Sequence, residues 1–142
     1  TIQPTALVHE AWLRLTATDS PQFANRAHFF AAASEAMRRI LIERARRKVA
    51  QKRGGRRERI NLDEVEIAVD ADDDTLLLVN EALEKLKLED PRTAELVNLR
   101  FFGGLTLEDA GQVMGISERT ARRTWAFARA WLYREINAAM KN

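Results

Sequence analysis

Apolar residues recur along this chain at steps of three and four, the spacing that gives a helix one buried face. Leu7, Val8, Ala11, Trp12 and Leu15 follow Thr5, whose hydroxyl suits an N-cap, and predict a helix reaching Thr16. Asp19, Ser20 and Pro21 break it. Phe29, Ala33, Met37, Ile40 and Leu41 mark a second, longer helix that runs on into Arg44, Arg46, Arg47 and Lys48 before Gly54 and Gly55 stop it. Its basic end also suits the negative pole of the helix dipole. Ile60 to Asp74 shows no sustained period and reads as a linker. Helices resume with the stripe Leu76, Val79, Leu83 and Leu86. Asp90 and Pro91 then form a start signal, with Asp as N-cap and Pro at the first helical position. That helix buries Ala94, Val97 and Phe101 and ends at Gly103 and Gly104. Thr106 to Asp109 has capping-box spacing and opens a short helix with Leu107, Ala110 and Val113 inward, closed by Gly115. Ser117 caps the last helix, in which Ala121, Trp125, Ala128 and Leu132 face the core. No stretch alternates as a strand would. The predicted fold is all-α.

Charge divides the same pattern into blocks. Residues 1–59 carry 13 Lys/Arg against 5 Asp/Glu, residues 60–90 carry 2 against 11, and residues 91–142 carry 8 against 5. A net charge of +2 therefore conceals two basic lobes separated by an acidic stretch, which suggests polyanion binding at both ends. We read three parts: a helical domain at 1–55, an acidic linker at 56–74 and a second helical domain at 75–142. With 46% hydrophobic and 31% charged residues the chain is not disordered throughout. It has no Cys, which removes disulfides and thiolate metal sites and suits a reducing compartment. No apolar run approaches the roughly 20 residues needed to span a bilayer. The expected location is the cytoplasm, with no membrane partner.

The segment Thr106 to Leu132 carries the most specific signal. A helix-turn-helix needs a short first helix, a tight turn, and a second helix crossing the first where a small residue lets the backbones approach. Gly111 supplies the small residue and Gly115 the turn, while Ile116 and Ala121 plug the angle. Glu118, Arg119, Arg122, Arg123 and Arg129 are left on the outer side, where guanidinium groups can bridge phosphates or read guanine edges in a major groove.

With those residues in place, Leu105 to Leu132, "LTLEDAGQVMGISERTARRTWAFARAWL", resembles region 4 of bacterial RNA polymerase sigma factors of the extracytoplasmic-function class, and the preceding "DPRTAELVNLRFFGG" fits as well. In the other half, "PTALVHEAWLRL" resembles region 2.2 and "AHFFAAASEAMRRILIERARRK" regions 2.3 and 2.4. The resemblance implies a dissociable promoter-specificity subunit without a catalytic centre or cofactor. Its partners would be core RNA polymerase, promoter DNA and, where the family's regulation applies, an anti-sigma factor. It assigns −35 element reading to Ser117, Glu118, Arg119, Thr120, Arg122 and Arg123, with Arg122 and Arg123 foremost. The −10 element would fall to Asn25, Arg26, His28, Arg38 and Arg39, and docking on the polymerase clamp helices to His9, Glu10, Leu13 and Arg14, with Trp12 in the core.

Two departures from the family pattern stand out. The chain opens at Thr1 without a counterpart of the further N-terminal helix, region 2.1, so the expectation is a truncated region 2 in which Leu7, Val8, Phe29 and Phe30 lack part of their packing. Self-association would then cover the exposed apolar surface. Ala32 stands where many relatives carry Trp early in region 2.3, with Phe29 or Phe30 as substitutes, and Phe30 is assigned to the core.

Other chemistry is excluded on spacing. His9 and Glu10 are adjacent and do not share a helix face, so they make a poor metal pair. Asp70, Asp72, Asp73 and Asp74 lack the Gly and terminal Glu of a calcium loop and read as a flexible linker or a helix N-terminus, and Gly54–Gly55 lacks the residues of a phosphate loop. The chain is not expected to be an enzyme or to hold a metal. A free-standing helix-turn-helix regulator would explain the C-terminal half equally well but gives no reason for the basic N-terminal helices. An interaction module, in which the basic N-terminal half binds RNA or the acidic linker recruits a partner protein, is a further reading, but nothing here matches an RNA-binding signature with interleaved aromatics.

Overall fold

The computed structural model describes residues 26–51, 68 and 71–141. The expected helix over Thr5–Thr16, and with it His9, Glu10, Leu13, Arg14 and Asn25, lies outside the described residues. Every regular element among them is helical. In chain order they are α1 (Arg26–Gln51), α2 (Asp73–Glu89), α3 (Pro91–Val97), a π-helical turn (Asn98–Phe102), α4 (Leu107–Met114) and α5 (Glu118–Lys141).

Local chemistry sets where these helices begin. Asp72 caps α2, its carboxylate accepting from the Thr75 backbone N–H at 2.7 Å, and Asp73 and Asp74 add negative charge to the positive pole of the first turn. The last residues of the expected linker are thus the start of a helix. Asp90 caps α3 ahead of Pro91, accepting from the Thr93 N–H at 3.2 Å and the Thr93 hydroxyl at 2.7 Å. Those bonds hold its carboxyl below the usual value. Thr106 caps α4 by accepting from the Asp109 N–H at 3.0 Å. Each such cap is typically worth about 1 kcal/mol.

The helix expected to run from Pro91 to Gly103 changes character on the way. From Asn98 it widens to π geometry, with the Gly103 N–H reaching back five residues to the Asn98 carbonyl. The wider turn brings Leu99, Phe101 and Phe102 all inside, the two Phe rings packed edge to face with centroids 5.0 Å apart. Arg100 then donates to the Leu105 carbonyl at 3.0 Å and the Leu105 N–H to the Leu99 carbonyl at 3.1 Å, fastening the loop that leads to α4.

One hydrophobic cluster joins the described elements. Ile40, Leu41 and Ala45 of α1 belong to it, with the predicted stripe Leu76, Val79, Leu83 and Leu86 of α2 and Leu96, Val97 and Leu99 at its centre. Phe30 is half-buried and packs against it, in an edge-to-face pair with Phe29. Where α1 meets the π turn, the approach is close enough that a Cβ on Gly103 would lie 2.1 Å from the Ser34 Oγ and 2.6 Å from the Leu99 carbonyl oxygen. Full burial of a Leu, Ile or Val contributes roughly 1.5–3 kcal/mol, so this cluster is the main support for everything displayed on its surface.

Candidate nucleic-acid interface

The α4–α5 corner is built from three small adjustments. Gly115 takes the left-handed conformation at φ +72°, which turns the chain sharply out of α4. Gly111 permits the crossing, because a Cβ there would stand 2.9 Å from the Ile116 carbonyl and 3.6 Å from the Ala121 Cβ. Ser117 caps α5, its hydroxyl oxygen accepting from the Thr120 N–H at 3.1 Å. Arg92 of α3 adds an outside tie by donating to the Met114 carbonyl at 3.0 Å, which satisfies the C-terminal end of α4. Residue pattern alone did not identify Arg92, since its partner lies 22 positions away.

The corner sorts the residues of α5. Ala121, Trp125, Ala128, Leu132 and Ile136 are buried against the core. Glu118, Arg119, Thr120, Arg122 and Arg123 are exposed on the other side, with Ser117 at their head. Arg122 is paired with Glu118 at 3.2 Å. Arg119 and Arg123 have no ion-pair partner among the described residues, and they stand one turn apart on the same face. Like charges at that spacing repel, and cations near a helix N-terminus oppose the dipole, so this end of α5 is electrostatically improved by an external anion. Arg129 is half-buried and engaged with other residues.

The cationic residues assigned from sequence to the −10 element fall on α1, and their setting differs. Arg26 opens that helix and His28 is exposed. Arg38 has only 15% of its side chain exposed, with its donors directed at Glu35 (3.0 Å), Glu84 of α2 (2.9 Å) and the Asn80 Oδ1. Arg39 is exposed and reaches the same Glu35 carboxylate at 3.4 Å. Burial would raise the Glu35 pKa, but hydrogen bonds and charge from Arg38, then Arg39, outweigh it and hold the carboxyl below its ordinary value. Burial likewise opposes the Arg38 charge, and Glu35 and Glu84 more than compensate. Arg38 therefore fastens α1 to α2, a role that spacing along the sequence does not reveal.

Among the described residues no group of three or more His, Asp or Glu side chains could hold a metal, and no helix is long and apolar enough to cross a membrane. What the geometry presents is a helix-turn-helix with a cationic outer face, the architecture of a major-groove DNA-binding protein. The family model described as ECF sigma factor matches residues 1–138, and the chain belongs to that family. It is accordingly a promoter-specificity factor for RNA polymerase, and core polymerase and promoter DNA are its partners. No curated protein and no solved structure matches the chain.

Proposed function

We propose that the α4–α5 corner reads the −35 element of a promoter while the N-terminal lobe contacts the −10 element and the polymerase. The observation that carries the −35 assignment is the pair of exposed arginines, Arg119 and Arg123, without an ion-pair partner among the described residues in the first two turns of a capped helix. Base edges in the major groove offer guanine N7 and O6 to such side chains, and flanking phosphates neutralise their mutual repulsion. Ser117 and Thr120 hold the start of the helix, and Arg122 shares its charge with Glu118.

For the −10 element the reading keeps Asn25, Arg26, His28 and Arg39 as contacts. Arg38 holds the α1–α2 seam in place. His9, Glu10, Leu13 and Arg14 serve polymerase docking. The division into parts at 1–55, 56–74 and 75–142 belongs to the same proposal, in which the acidic middle segment stays off the DNA because phosphates repel it. So do a cytoplasmic location, where transcription takes place, and an antagonist of the anti-sigma type that would cover one of these faces.

The test is to mix the protein with core RNA polymerase at low salt, isolate the complex, and select promoters from a random DNA pool by run-off transcription. A stable complex that initiates at a recurring two-element sequence supports the reading. Failure to bind core polymerase under these conditions would sink it.

A further inference from the structure

The outward face of α5 continues beyond Arg123. At 3.6 residues per turn, the residue four positions on lies about 40° around the helix and about 6 Å further along its axis. That residue is Phe127, which is 50% exposed. Ala126 and Ala130 flank it and are exposed too, while Trp125, Ala128 and Leu132 point into the core. Among the described residues, the other large exposed apolar side chains lie elsewhere: Leu88 near the end of α2, and Tyr133 and Met140 further toward the C-terminal end of α5. Phe127 alone among them adjoins the arginine stripe.

A half-exposed Phe beside unpaired arginines has a matching ligand in duplex DNA. Thymine presents an apolar C5-methyl group in the major groove, Phe is among the side chains that pack on it, and Arg is the usual partner of guanine. The small side chains of Ala126 and Ala130 leave the backbone free to approach. We propose that Phe127 reads a thymine methyl in the −35 element, roughly two base pairs from the bases that Arg123 contacts, since successive base pairs rise about 3.4 Å. This inference rests on the −35 reading of α5 and adds to it a base identity that arginine cannot supply.

The experiment uses the full chain bound to core polymerase and the promoter recovered by selection. Each thymine of the −35 element is replaced in turn by deoxyuridine, which removes only the methyl group. The expected result is about a four-fold loss of affinity for the original protein at one or two thymines, the value of one buried methyl. Phe127→Ala should bind the thymine duplex correspondingly less well and no longer distinguish thymine from uracil there. The proposal is overturned if the original protein ignores every replacement, or if Phe127→Ala remains as sensitive as the original. It is also overturned if Phe127→Ala instead weakens the complex with polymerase while leaving the uracil response intact. Arg123→Ala in the same assay separates the two levels. If it loses affinity while uracil has no effect, Phe127 alone is misassigned, whereas unchanged binding by Arg123→Ala removes the −35 reading and this inference with it.

Discussion

Two arginine-bearing helices, α1 and α5, meet their surroundings in opposite ways. On α1, Glu35 lies three residues before Arg38 and four before Arg39, and α2 supplies Glu84 and Asn80, so those cations are met from within the protein. On α5, the positions three and four away from Arg119 and Arg123 hold no acidic residue, and the one acidic neighbour, Glu118, is taken by Arg122. The same residue type therefore does two jobs. Where acidic partners hold it across a helix seam, as at Arg38, arginine fixes architecture, and where they are withheld it remains available to an external polyanion.

Disturbing the seam should affect stability and spare DNA reading. The largest effect is expected from Gly103→Ala, which places a methyl group against both the Ser34 hydroxyl and a backbone carbonyl. We expect a loss of about 3 kcal/mol in urea or thermal unfolding, and an unaltered transition would show that the α1 contact at this point is looser than described. Arg38→Ala comes next. It leaves Glu35 without its principal partner and Asn80 without its donor, but Glu84 is about half exposed and regains water. The expected cost is therefore about 2 kcal/mol, again with −35 duplex affinity per folded molecule unchanged. A variant that is fully stable yet defective on the −10 element would reverse the assignment and make Arg38 a DNA contact.

Much of the α4–α5 corner was legible in the sequence because its determinants are local. Thr106 and Ser117 as caps, Gly111 at the crossing, Gly115 at the turn and the inward Ala121, Trp125, Ala128 and Leu132 all act within a few residues of one another. The run Asp70 to Asp74 was legible as a linker or a helix N-terminus, but Asp72, Asp73 and Asp74 look alike, and only the bond from the Thr75 N–H singles out Asp72 as the cap. The π turn left no mark, since shifting one hydrogen-bond register keeps Leu99, Phe101 and Phe102 apolar in either geometry. Arg38 was unreadable for a different reason. Its partners Asn80 and Glu84 are 42 and 46 residues away, and nothing in helical periodicity couples positions at that range. Phe127 could have been found by carrying the outward stripe one turn past Arg123.

The central claim is that α5, and not α1, reads the −35 element, and the most direct measurement compares matched arginine removals on the two helices. Affinity for a −35 duplex should be measured by titration at fixed salt with holoenzyme carrying Arg119→Ala, Arg123→Ala or Arg39→Ala. We predict that the first two each weaken binding by about 1 to 3 kcal/mol, while Arg39→Ala stays within about 0.5 kcal/mol of the original protein. Equal losses on both helices, or none on α5, would contradict the account.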